Sequence, residues 1–85
     1  MPLFVIERNF ADRLEMTKQD ADNVSAVNED VGVKWIFSFL RADKKKTYCL
    51  YEAPSAEAIR EAAARAGIPA DVIVEVDELR PEQFV

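Results

Sequence analysis

Two glycines, Gly32 and Gly67, are all that the 85 residues contain, and each closes a stretch whose apolar residues recur at helical spacing. A glycine in that place supplies the left-handed residue on which a helix ends. The chain is thereby divided into two helices with extended segments around them. Only four prolines accompany the glycines, which leaves little room for long loops or low-complexity linkers.

The extended segments have their own signatures. LFVIER, Leu3 to Arg8, places four apolar residues before a charged exit and reads as a buried strand. Asn9 to Met16 connect it to the first helix. Thr17 opens that helix, with Asp20 three residues on as a capping pair. Ala21, Val24, Val27 and Val31 form its apolar stripe, and Asp20, Asp22, Asn23 and Asn28 its expected outer face. VKWIFSFLR, Val33 to Arg41, is rich in aromatic and β-branched residues and predicts a second strand. ADKKK turns the chain into a third, TYCLYEA, from Thr47 to Ala53. Ser55 caps the second helix and Glu57 complements its dipole. On its surface Glu61–Arg65 and Glu57–Arg60 have the spacing of helix-supporting pairs. Ala70 to Leu79 alternates valines with Ile73, Glu75 and Asp77 as a fourth strand, and Pro81 ends it before a tail, PEQFV.

The order β-α-β-β-α-β is the split βαβ, ferredoxin-like arrangement. It predicts an α+β fold in one domain, residues 1–85: a four-stranded antiparallel sheet with two helices on one face. The other face then has no cover, and apolar side chains there point to a homodimer, sheet against sheet.

Strand alternation divides the side chains between the two faces. Charged residues are costly in a core, so Val72, Val74 and Val76 are assigned to the helices in the fourth strand, as are Trp35, Phe37 and Phe39 in the second. Glu7, Ser38, Tyr48, Glu52 and Glu75 then fall on the open face among Val5, Ile36, Leu50 and Ile73. These five are the candidate ligand-binding residues. Carboxylates enclosed in a dimer cavity would have raised pKa values, suited to a general base or a hard cation; at a rim they would simply be solvated.

Charge and composition exclude several functions. The net charge is −5, whereas nucleic-acid binders need a basic patch to displace counterions. The basic run Lys44-Lys45-Lys46 is short and falls in the turn. No apolar run approaches a membrane span, and MPLFVIERNF lacks the features of a signal peptide. A single cysteine forms no internal disulfide, and a cytoplasmic location is expected. That cysteine, Cys49, has no histidine anywhere in the chain to activate it, and it reads as a small buried hydrophobe. Trp35 reads as a core anchor. No catalytic set is evident.

Thr47-Tyr48-Cys49-Leu50-Tyr51-Glu52-Ala53-Pro54 and Ala66-Gly67-Ile68-Pro69-Ala70, with Glu7-Arg8 ending the first strand and Trp35 and Ser38 in the second, resemble a family of small proteins. It was long catalogued as a domain of unknown function and takes its usual name from a nickel-binding member. The resemblance spans nearly the whole chain and implies ferredoxin-like dimers. It also implies histidines where this chain carries Phe37 and Ala62. Nickel(II) favours imidazole and thiolate donors, so a metal site here would have only Cys49, carboxylates and backbone groups to draw on. Phe37 against Ala62 is expected instead as a core pair, hydrocarbon in place of a metal site.

Two functions follow, beside the plain alternative of a purely structural dimer whose open face is fully packed. One is a small homodimeric binding protein holding a metal ion or a small ligand, with its cofactor, if any, unnamed. The other is a cofactor-free enzyme of the dimeric α/β-barrel type, a monooxygenase or isomerase, with Glu7, Tyr48 and Glu52 as acid–base candidates. The second rests on analogy of fold.

Overall fold

The computed structural model describes residues 1–84; Val85, the last residue of the tail, lies outside them. The elements run β1 (Leu3–Asn9), α1 (Lys18–Val31), β2 (Lys34–Leu40), β3 (Lys46–Glu52), α2 (Ala56–Ala66), β4 (Val72–Val76) and a short 3₁₀ turn, Pro81–Phe84. The strands form one antiparallel sheet in the order β2-β3-β1-β4. This is the ferredoxin-like fold expected from the element order.

Local chemistry explains the boundaries. At the start of α1 the Asp20 amide donates to Thr17 Oγ1 at 3.1 Å, and the Thr17 amide donates to Asp20 Oδ2 at 3.0 Å. These two bonds satisfy donors that a helix start otherwise leaves unpaired. Ser55 Oγ accepts from the Ala58 amide at 3.2 Å and caps α2 in the same way. Gly32 and Gly67 take φ values of 86° and 70°, a region that costs other residues more than glycine.

The core lies between the sheet and the two helices. Phe4 and Ile6 from β1, Cys49 and Tyr51 from β3, and Ile59 and Ala62 from α2 are buried together, with Val27 and Val31 of α1 packed on them. Burying such side chains contributes about 1.5–3 kcal/mol each for the larger ones.

Several expected orientations are reversed. Trp35 pairs with Tyr51, but Phe37 pairs with Leu50 and Ser38 with Cys49, because a β-bulge at Ile36 adds a residue to β2. Past that bulge Phe37 and Phe39 point to the open face, while Ser38 and Leu40 point to the helices. Phe37 and buried Ala62 therefore lie on opposite sides of the sheet and form no core pair. In β4, Val74 pairs with Val5 and Ile73 with Ile6, so Val72, Val74 and Val76 face the open side. Ile73 packs on the core, and Glu75 lies on the helix side of an edge strand yet remains exposed. The helices leave Glu75 itself exposed, which removes the burial cost that would have turned it away.

Two polar expectations also change. Asn28 is buried rather than outward, and its Nδ2 donates to the Tyr51 hydroxyl at 3.3 Å. Arg65 reaches across to Asp30 of α1 instead of pairing with Glu61, whereas Glu57 and Arg60 do pair, at 2.6 Å.

Candidate functional site

A half-open pocket of about 200 Å³ lies between the sheet and the segment that leads into α1. Its floor comes from the helix-facing residues of three neighbouring strands. Arg8 of β1 lies opposite Thr47 of β3, which lies opposite Leu40 of β2. In the next rows Cys49 is opposite Ser38 and Tyr51 opposite Trp35. Phe10, Leu14 and Met16 of the connecting segment, with Val24 and Ile68, close the remaining sides. The Phe10 and Leu14 amides donate to the carbonyls of Lys45 and Lys44 at 2.8 and 2.7 Å, which ties this segment to the β2–β3 turn.

The walls are mainly hydrocarbon and aromatic, and the polar atoms on them are few. Trp35 Nε1 donates to Ser38 Oγ at 2.9 Å. Cys49 Sγ donates to Thr47 Oγ1 at 3.4 Å and is buried, as its sequence context suggested. Burial pushes the Tyr51 phenol above its ordinary pKa, while the Asn28 hydrogen bond and the nearby Arg8 charge pull the other way. Arg8 is only 4% exposed. Its Nη1 donates to the Pro69 carbonyl at 2.6 Å, and its guanidinium lies 5.7 Å from the centroid of the Tyr51 ring.

The opposite face of the sheet is a shallow groove of about 630 Å³, bordered by Asp77–Arg80 of the tail. Three cross-strand rows make this face. The central row is apolar throughout: Phe37, Leu50, Val5 and Val74. One flanking row runs Phe39, Tyr48, Glu7 and Val72; the other runs Lys34, Glu52, Leu3 and Val76. Phe37 and Phe39 meet edge to face, their centroids 5.3 Å apart.

The five candidate residues are distributed rather than gathered. Glu7 and Tyr48 are direct neighbours on the open face. Glu7 is engaged by Lys46 at 2.7 Å, a contact that holds the Lys46 ammonium above the usual lysine range. Lys46 also lies 5.1 Å from the Tyr48 ring centroid. Glu52 is on the same face but at the other end of β3. Ser38 lines the pocket on the helix side instead, and Glu75 stands at the sheet edge. Arg8 and Thr47 had not been singled out. The signal for Arg8 was present in the alternation Phe4, Ile6, Arg8, which places a cation on the core face.

These features define a ferredoxin-like α+β protein with a half-open, largely apolar pocket on the helix side of the sheet and an uncovered sheet face. Residues 4–76 match the family described as nickel responsive protein SCO4226-like, and the chain belongs to that family. It is similar to the crystal structure of SCO4226 from Streptomyces coelicolor A3(2), with 29% identity, a TM-score of 0.78, and coverage of 92% of this chain and 99% of that one. No curated protein matches the chain.

The residues present do not fit a family-type nickel centre. The chain has no histidine, its one thiol is buried against Thr47, and among the described residues no three acidic or cysteine side chains are grouped to share an ion. Nor is any helix among them long and apolar enough to cross a membrane.

Proposed function

We propose that the protein is a small cytoplasmic binding protein that pairs with a second copy through its open sheet face and holds a small ligand in the pocket between the sheet and the segment that leads into α1. The observation that carries this reading is the all-apolar row Phe37, Leu50, Val5, Val74 across the centre of the uncovered face. Phe37 is 47% exposed, Val74 48% and the flanking Phe39 66%. An apolar centre with charged residues toward its borders, here Glu7 with Lys46 and Glu52 opposite Lys34, has the anatomy of a protein interface. A two-fold pairing would set one apolar row against its copy. Reducing conditions in the cytoplasm would keep the buried Cys49 as a thiol.

A binding role is favoured over acid–base catalysis by the state of Glu7, whose carboxylate is occupied by Lys46. Glu7, Tyr48 and Glu52 would lie in or around the interface, and Ser38 in the ligand pocket. The test is sedimentation equilibrium on the wild-type chain and on Phe37→Lys. The wild type should sediment at twice the chain mass and the variant at the chain mass, with unchanged far-ultraviolet dichroism because Phe37 lies outside the core. A wild type that stays monomeric at high micromolar concentration would remove the dimer from this reading.

A further inference from the structure

We infer that the pocket between the sheet and the segment leading into α1 takes a compact, uncharged and apolar molecule, seated on the Ser38–Cys49 row beside Trp35 and Tyr51. This rests on the ligand-holding role proposed above and specifies the class of ligand.

The bulge in β2 creates the space. Strict alternation from Trp35 would place Phe37 opposite Cys49 and Phe39 opposite Thr47, both on the helix side. The extra residue at Ile36 puts Ser38 and Leu40 in those two places instead. Two phenylalanine rings are thereby exchanged on the pocket floor for a hydroxymethyl and an isobutyl group. The rings stand on the other face, where Phe37 is 47% and Phe39 66% exposed. A chain that only filled its core would have kept them inside, because interiors pack with few voids larger than a water. Apolar walls facing empty space forfeit dispersion contacts, which a fitting molecule restores. Bulges recur beside functional sites, where they re-aim side chains.

The polar groups around the pocket decide the ligand's class, because they are engaged with one another or with the backbone. Trp35 Nε1 donates to Ser38 Oγ, and Cys49 Sγ to Thr47 Oγ1. The Tyr51 hydroxyl accepts from Asn28 Nδ2 and is hydrogen-bonded by Arg8 as well. Arg8 Nη1 donates to the Pro69 carbonyl. Among the described residues no enclosed side-chain nitrogen or oxygen lacks a partner. A charged molecule would leave water for walls whose polar atoms are already taken, which is costly. An apolar one gains by the same transfer. Phe10, Leu14, Met16, Val24, Leu40 and Ile68 make the rest of the lining apolar. The volume of about 200 Å³ suits a single ring with a short substituent, since an apolar cavity of about 150 Å³ is enough for benzene. On the half-open side Met16 is 42% exposed, and its unbranched thioether chain can adapt to the molecule beneath it.

The experiment follows the fluorescence of Trp35, the only tryptophan, during titration with toluene, and with benzoate and benzylammonium as charged probes of similar size. Toluene should saturate the signal and bind about tenfold or more tightly than either ion, as the cost of stripping water from a charge requires. Ser38→Phe, which returns a ring to the floor, should abolish toluene binding, and Phe37→Lys on the open face should leave it unchanged. The three-probe comparison on the wild type needs no variant, so a poorly folded Ser38→Phe leaves the result readable. Undiminished binding in a folded Ser38→Phe, or its loss in Phe37→Lys, would place toluene elsewhere and overturn the inference. An ion that binds as tightly as toluene would overturn it while leaving the ligand-holding role intact. No saturable signal from any of the three at millimolar concentration would overturn both, with the dimer judged separately by sedimentation.

Discussion

Trp35 Nε1 donates to Ser38 Oγ at 2.9 Å, a contact between residues three apart on one strand. Strict alternation would put residues 35 and 38 on opposite faces. The bulge at Ile36 brings them to the same one, and the hydroxyl then satisfies the indole N–H beside an apolar pocket. Ser38→Ala removes the acceptor and leaves a half-buried donor unpaired. The expected loss is about 1 kcal/mol, or a fall in melting temperature of about 4–8 °C for a domain of this size. Thermal denaturation followed by dichroism measures the loss, and the emission of Trp35 should shift as its N–H loses its partner. An unchanged melting temperature would show that water replaces the hydroxyl at no cost.

That bulge also explains why the fold was legible in the sequence and much of the site was not. Element order depends on signals a few residues long, and these were clear: the Thr17–Asp20 cap, Ser55, and the two closing glycines. Side-chain facing depends on an unbroken count of two along each strand. In β1 and β3 the count holds, and Phe4, Ile6, Cys49 and Tyr51 face the core as expected. In β2 one extra residue inverts everything from Phe37 onward, and a bulge at Ile36 has no glycine to mark it. In β4 the error was energetic. Glu75 is expected away from the helices to avoid burial, yet on the helix side of the edge strand it stays exposed. Asn28 was missed because its partner, the Tyr51 hydroxyl, is distant in sequence and becomes its neighbour only when α1 packs on the sheet. Which carboxylates come near Arg8 depends likewise on how distant parts of the chain pack.

Folding stability should fall in alkali. Burial raises the Tyr51 pKa, and the Glu7 hydrogen bond raises that of Lys46. Both groups therefore hold their protons in the folded chain to a higher pH than in the unfolded chain. The unfolded chain binds fewer protons above about pH 10, so stability decreases as pH rises through that range. Below about pH 9 both contributions are fully present, and neither causes a slope. Melting temperature measured from pH 7 to 11 should be level and then descend. Tyr51→Phe should lower it throughout, because Asn28 loses its partner, and should make the alkaline descent shallower. An equally steep descent in the variant would assign the effect to Lys46 alone.

Nickel should not bind stoichiometrically. Nickel(II) prefers imidazole and thiolate donors, and carboxylates hold it weakly. Several carboxylates here are already engaged by cations: Glu7 by Lys46, Asp30 by Arg65, Asp43 by Arg41 and Glu78 by Arg80. Releasing any of them exchanges one electrostatic partner for another, which reduces the net gain. Cys49 could contribute a thiolate only if the Thr47 contact broke and the core beneath α1 opened. Calorimetric titration of chelator-stripped protein with Ni²⁺ should therefore give no saturable heat at micromolar concentrations, and Cys49→Ser should behave identically. Binding of one ion per chain that disappears in Cys49→Ser would place the thiol in a metal site. The core around β3 would then have to open far more readily than its packing against Ile6, Tyr51 and Ile59 implies.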